Sequence, residues 1–268
     1  MARFKFYIEY EGTRYSGWQI QKNAKTIQGK IDEALKTIFK NKEYEFYGSG
    51  RTDSGVHALC QVAHLEINTN FSPEMIRMKI NDLLPYDINI ISVEKAKPNF
   101  HARHHAEKRS YIYQISKRRT AFGKNFVWWI KDKLDVEIMK KACNEFIGMH
   151  DFSSFSNDDI SGKSQKVLIS DVSITVRGDL IVIRIIGSHF LWKMVRRIIG
   201  VLVETGRGNF SIKDIKNFLK ISSTDIAKFT APPSGLFLEK AYYEGESEID
   251  GIDSFITVLP EQEYKKKL

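Results

Sequence analysis

Apolar and polar residues alternate from 4 to 10, and a period of two marks a strand with one face against a core. Glu11-Gly12-Thr13 supplies the turn that ends it. The period then changes: Thr26 is a fitting N-cap, and Ile27, Ile31, Leu35 and Ile38 fall on one face, which predicts a helix. Residues 45–48 lead into a loop over 48–57, and alternation returns over 60–67, so the loop is held between two strands. Ser72-Pro73-Glu74 opens a second helix predicted to run through Leu84 and stop at Pro85, and residues 88–93 form a further strand.

Past a basic stretch at 103–109, residues 110–116 alternate again, and 136–147 have helical spacing that ends at Gly148. Strands at 172–176 and 180–186 are joined by Arg177-Gly178-Asp179, a tripeptide that a hairpin turn between apolar strands explains without an adhesion role. Helices over 190–205 and 212–219 precede a closing strand at 236–243. This order predicts an α+β fold of two subdomains, each with an antiparallel sheet covered on one face by helices. The expected divisions are 1–104, 105–245 and a C-terminal extension at 246–268, whose Lys265-Lys266-Lys267 reads as a frayed tail.

With 268 residues, 42% of them hydrophobic, the chain can build a core in each subdomain. Lys plus Arg number 41 against 33 Asp plus Glu, and the formal charge of +8 favours a polyanionic partner whose binding weakens as salt rises. Cys60 and Cys143 form no CxxC pair, which points to a reducing, cytoplasmic setting without a disulfide framework or structural zinc. The apolar stretches are too short or too interrupted by charge to span a membrane. Phe100-His101-Ala102-Arg103-His104-His105 lacks the Glu of HExxH and a carboxylate at ligand spacing, so no metal is expected there. Beside Lys108 and Arg109 it reads instead as phosphate-facing surface, which Arg14, Lys22, Lys25, Arg118 and Arg119 would extend.

The loop at 48–57 carries Gly48, Gly50 and Gly55 around Arg51 and Asp53, a composition that admits close approach of a ligand to backbone, one cation and one carboxylate. It also admits a plain surface loop whose Arg and Asp pair. No GxxxxGK[ST] occurs, so it is a poor phosphate cradle. Gly50-Arg51-Thr52-Asp53-Ser54-Gly55-Val56-His57 resembles the GRTDxGVH signature of the TruA family of tRNA pseudouridine synthases. Tyr10-Glu11-Gly12 with Gly17-Trp18-Gln19, Phe100-His101-Ala102-Arg103, Arg109-Ser110-Tyr111, Met194-Val195-Arg196 and Ala231-Pro232-Pro233-Ser234-Gly235-Leu236 are similar to further family segments in the family's order. Lys166 stands where the family has arginine, and the chain past Tyr243 matches no family segment.

The resemblance implies an isomerase with tRNA as substrate, uridines 38 to 40 of the anticodon stem-loop as targets, no cofactor, and a homodimer that binds no DNA. It places the active site in a cleft between the two subdomains. Asp53 would be the nucleophile, attacking C6 of uracil or C1′ of ribose, and Arg196 the cation that accompanies it. Arg51 would fill the gap left by a flipped base, its planar guanidinium stacking on bases and holding phosphate. Tyr111 would pack on the uracil, and its hydroxyl could take part in removing the C5 proton; Leu236 would floor the pocket. His101, Arg103, Arg109 and Arg14 would bind RNA. Two other readings compete: a tRNA-binding protein without chemistry, and a hydrolase or glycosylase in which Asp53 activates water and a base is released.

Overall fold

The computed structural model describes residues 1–40, 42–156, 164–260 and 262–263. The lysine tail at 265–267 and residues 161–163, shortly before Lys166, lie outside these residues. Along the first part of the chain run β1 (Ala2–Tyr10), α1 (Ile27–Phe39), β2 (Tyr44–Gly48), β3 (His57–Ile67), α2 (Pro73–Asn81) and β4 (Ile88–Lys95). Then come β5 (Lys108–Ser116), β6 (Trp128–Trp129), α3 (Val136–Cys143), β7 (Gly148–Asp151), β8 (Lys166–Arg177), β9 (Leu180–Gly187), α4 (Met194–Gly206), α5 (Ile212–Phe218) and β10 (Leu236–Tyr242).

Packing divides the chain into two compact units, Met1–Arg109 with Phe237–Ser247, and Ser110–Leu236 with Glu248–Leu268. Residues 237–247 thus pack with the first unit, because Phe237 and Leu238 of β10 pair in parallel with His57 and Ala58 of β3. A strand's partner is set by register across the sheet, which alternation along the chain does not reveal. Parallel pairing needs a long crossover, and the intervening second unit supplies it.

In the first unit β3 carries β1 along one edge and shares the other between β2 and β10, with β4 outside β1. Phe4, Phe6 and Ile8 share one face of β1 and are fully buried, each burial contributing roughly 1.5–3 kcal/mol. Phe4 and Phe6 stand opposite Leu65 and Ala63, and the Phe6 ring meets Phe46 edge-on at 5.7 Å. Thr26 caps α1, its hydroxyl accepting from the Gly29 N–H at 3.2 Å, and Gln28 donates to the Phe46 carbonyl, tying the helix to β2. The helix expected through Leu84 ends at Asn81, whose side-chain amide both accepts from the Ile90 N–H at 2.8 Å and donates to its carbonyl at 2.9 Å.

The opposite face of this sheet buries Val62, Ala102, Ala241 and Tyr243 with Tyr7 and Phe100 packed on them. His64 lies here, 1% exposed, its Nδ1 accepting from the Ala102 N–H at 3.2 Å. Burial first, then the nearby His101, Arg3 and His105, pushes its pKa from 6.5 down to about 4. The unfolded chain therefore binds one more proton than the folded one between these values, and stability present above pH 6.5 is lost as pH falls through the window toward 4. His64→Asn, whose Oδ1 branches from Cγ as Nδ1 does, keeps an acceptor for the Ala102 N–H without titrating. Urea unfolding of both proteins is expected to show a wild-type loss between pH 6.5 and 4 that exceeds the variant's by roughly 2–3 kcal/mol.

In the second unit the strand order is β5-β9-β8-β7, with β6 in parallel on β5 and antiparallel pairing of β7 with β8 and β8 with β9. Arg177 pairs with Leu180 across a two-residue turn in which Gly178 has φ +60°, so the tripeptide is a hairpin turn. The helix expected from Phe190 starts at Met194, because Lys193 sits at φ +64° and breaks helical continuity. Helical spacing over 136–147 divides into α3 and a 3₁₀ turn, Asn144–Phe146. Apart from Arg196, α4 is buried all round, as a helix through a core must be. Gly200 makes this possible: a Cβ there would collide with the Phe229 carbonyl.

Candidate active site

The loop between β2 and β3 is fixed almost residue by residue. At its start the Ser49 N–H donates to the Val62 carbonyl at 2.7 Å and its hydroxyl to Gln61 Oε1 at 2.6 Å. Gln61, fully buried, donates in turn to the Gly50 carbonyl at 3.1 Å. The Thr52 carbonyl accepts from the Trp18 N–H at 3.1 Å, and its hydroxyl pairs with that of Tyr10 at 2.8 Å. Beyond Asp53, the Ser54 hydroxyl and Gly55 N–H both donate to the Tyr15 carbonyl, at 3.1 and 3.2 Å, and the Val56 N–H closes a turn onto the Asp53 carbonyl. His57 is buried, accepting from the Gly12 N–H at 3.0 Å and stacking on Phe237 with centroids 4.7 Å apart.

The segment at 10–18 is thus a brace for the loop, and its glycines are required by contact. A Cβ on Gly12 would overlap the Val56 carbonyl, and one on Gly17 would lie 2.5 Å from the Thr52 oxygen, with φ at +88° besides. The brace is itself held by buried Asp87, which accepts from Tyr15 Oη at 2.6 Å and from Arg14 Nη2 at 2.6 Å. Burial raises the Asp87 carboxyl, but the hydrogen bonds from Tyr15 and Arg14 outweigh it and leave the pKa below its ordinary value. Within this frame Asp53 is half-buried and Arg51 exposed. A pinned loop presenting one carboxylate and one cation is an arrangement that favours pre-positioned chemistry over adaptive binding.

In the second unit, Tyr111 on β5 is 9% exposed and meets Phe190 edge-on at 5.1 Å. Arg196, in the first turn of α4, is half-buried; its Nε donates to the Ala231 carbonyl at 2.7 Å while the Ala231 N–H donates back to the Arg196 carbonyl at 3.0 Å. Leu236 is 5% exposed at the start of β10. The segment before it is clasped to β5: Tyr113 donates to the Pro232 carbonyl at 2.8 Å, and a Cβ on Gly235 would lie 2.7 Å from the Gln114 carbonyl. Desolvation keeps the Tyr113 hydroxyl protonated, its pKa raised well above 10. Arg197 is buried, its Nη1 donating to the Ser154 and Ser156 carbonyls; burial pushes its pKa down.

The expected RNA-facing residues are placed unequally. Arg103 is exposed. Arg14 is half-exposed, held by Asp87, with its guanidinium 4.7 Å from the Tyr86 ring centroid. Arg109, expected on a phosphate path, gives its guanidinium to the carbonyls of Ser49, Ala106 and Arg103, which makes it part of the loop's frame. His101, expected to face phosphate, has Nδ1 accepting from the N–H groups of Arg103 and His104, with its ring stacked on Tyr47 at 5.9 Å. Burial and neighbouring positive charge lower its pKa, so the ring serves the turn as a neutral acceptor. Among the described residues no group of three His, Cys, Asp or Glu is arranged to hold a metal, and no helix is long and apolar enough to cross a membrane.

Of the brace residues, Tyr15, Gln61 and Asp87 carry no signature in the sequence, and Tyr10 is marked only by the resemblance of Tyr10-Glu11-Gly12 to a family segment. Only the Gly12 and Gly17 pair beside aromatic residues marks the segment as one of close backbone approach.

A family model described as tRNA pseudouridine synthase matches residues 7–105 and 142–244. The matched stretches contain Asp53, Arg196 and Leu236; Tyr111 lies between them. The chain is 40% identical over 245 residues to tRNA pseudouridine synthase A 2 of Clostridium perfringens, an alignment covering 91% of this chain and 100% of that protein. It is 38% identical over 255 residues to tRNA pseudouridine synthase A 1 of Protochlamydia amoebophila, covering 92% and 98%, and 41% identical over 244 residues to tRNA pseudouridine synthase A of Ehrlichia chaffeensis, covering 90% and 100%. The chain belongs to the tRNA pseudouridine synthase family, enzymes that isomerise uridine to pseudouridine.

Proposed function

We propose that this chain isomerises uridine to pseudouridine at positions 38 to 40 of the tRNA anticodon stem-loop, with Asp53 as nucleophile and no cofactor. The observation that carries this reading is the loop geometry: Asp53 is half-buried in a segment whose flanking residues are held by backbone and buried side-chain bonds on both sides. Covalent catalysis needs a carboxylate whose position is fixed before the substrate arrives.

In this reading the Asp53 carboxylate attacks C6 of uracil or C1′ of ribose, and the bond between N1 and C1′ breaks. The base turns, C5 bonds to C1′, the C5 hydrogen leaves as a proton, N1 takes up a proton, and the aspartate is released. Arg196 accompanies the carboxylate, and the Ala231 carbonyl on its Nε supports the assignment by fixing the direction of the guanidinium. Arg196→Ala is expected to lower turnover about 100-fold at saturating tRNA, since the lost interaction acts in the reaction and not in binding. Arg51 occupies the gap left by the flipped base, supported by its exposure two residues from Asp53. Tyr111 packs on the uracil and Leu236 floors its pocket. Tyr111→Phe keeps the stacking and Tyr111→Leu removes it, so their rates separate stacking from proton transfer.

The enzyme acts as a homodimer in the cytoplasm and has no use for DNA; free thiols at Cys60 and Cys143 suit that compartment. Carbodiimide mapping of tRNA transcripts incubated with the protein tests the site assignment. Reverse-transcription stops confined to 38, 39 and 40 support it; stops elsewhere in the tRNA overturn it.

A further inference from the structure

Thr52 stands between the two functional side chains of the loop, and the structure holds it by two bonds from different residues. Its carbonyl takes the Trp18 N–H at 3.1 Å, and its Oγ1 shares a hydrogen bond with Tyr10 Oη at 2.8 Å. Thr52 is 7% exposed and Tyr10 4%, so water does not readily replace the hydroxyl pair. Tyr10 closes β1, with its ring 5.9 Å from that of Trp18, so the hydroxyl is carried by a packed ring on a sheet strand. The Trp18 bond fixes one point of the Thr52 peptide. A second point is needed to stop rotation about it, and rotation there would swing Arg51 on one side and Asp53 on the other.

We propose that Tyr10 is a positioning residue for the isomerisation, its hydroxyl setting the orientation of Thr52 and through it the aim of Asp53 and Arg51. Tyr10 touches neither substrate nor reacting atoms in this role. The inference rests on Asp53 being the nucleophile. It requires that loss of one buried hydroxyl slow the reaction while tRNA still binds, because displacements on the order of 1 Å cost about 100-fold in rate without removing binding contacts.

The experiment compares wild type, Tyr10→Phe, Thr52→Val and Thr52→Ser by single-turnover pseudouridine formation, tRNA affinity, thermal unfolding, and hydrogen exchange of the amides at 50–56. Tyr10→Phe and Thr52→Val are expected to react about 10–100-fold more slowly than wild type, with tRNA affinity within about twofold. Exchange in the loop should rise at least about tenfold, with melting temperature down by only a few degrees. Thr52→Ser, which keeps the hydroxyl, should recover most of the rate. A Tyr10→Phe rate within twofold of wild type, or a loss that lies wholly in tRNA affinity, overturns the proposal. Should wild type prove inactive on tRNA while exchange still rises in Tyr10→Phe, the catalytic reading falls and the clamp stands. Should wild type be active while the variant neither slows nor loosens, the clamp alone falls.

Discussion

Asp53→Asn is expected to abolish pseudouridine formation, with a fall of at least about 10⁴-fold in single-turnover rate, while tRNA affinity stays within a few-fold of wild type. Asparagine is nearly isosteric with aspartate and lacks the anionic oxygen that the proposed mechanism uses to form a covalent bond, so the change removes the proposed nucleophile without removing volume. The bonds at Ser49, Gly50, Thr52, Ser54, Gly55 and the Asp53 carbonyl are made by groups that the substitution leaves in place. Filter binding and single-turnover assays on one preparation separate the two quantities. A variant with a tenth of wild-type activity would exclude Asp53 as nucleophile.

Gly12→Ala is expected to have the second largest effect, although Gly12 carries no functional group. An added Cβ would overlap the carbonyl of Val56, the residue whose N–H closes the turn onto Asp53. Backbone atoms cannot yield as a flexible side chain would, so the loop must move by an ångström or more. A loss of about 1–3 kcal/mol in stability follows from overpacking, and about 100-fold in rate from misplacement of the carboxylate. Gly12 also donates to His57 Nδ1, and the displacement strains that bond. Urea unfolding and single-turnover rates check the two parts, and an active Gly12→Ala enzyme of wild-type stability would show that the brace does not control the loop.

Legibility in the sequence follows the range of the interaction concerned. β1 and α1 are readable because their causes are local: the period-two burial of Phe4, Phe6 and Ile8, and a Thr26 cap acting three residues away. The pin at the end of α2 is not, because the Asn81 side chain bonds the backbone of Ile90 on another element. The loop at 48–57 announces itself by composition and resemblance, and resemblance also marks the segment at 10–19, yet the bonds that join them are invisible: Tyr10 reaches Thr52 across 42 residues, and Tyr15 reaches Asp87 across 72. Arg109 and His101 show the same limit. Read along the chain they look like cations awaiting phosphate. Folded, one ties Ser49 from 60 residues away, and the other is a neutral acceptor within a tight turn.

Two alternatives, a tRNA-binding protein without chemistry and an aspartate-dependent hydrolase, use much of the same surface, and the fate of the C5 hydrogen and of the base tells all three apart. The most direct measurement is therefore tritium release from tRNA carrying uridine labelled at C5, with free uracil quantified in the same reaction. Rejoining through C5 expels that hydrogen and keeps the base, so the account predicts tritium released in proportion to pseudouridine formed and no free uracil. Free uracil without tritium release, or tRNA bound with neither product, would contradict it.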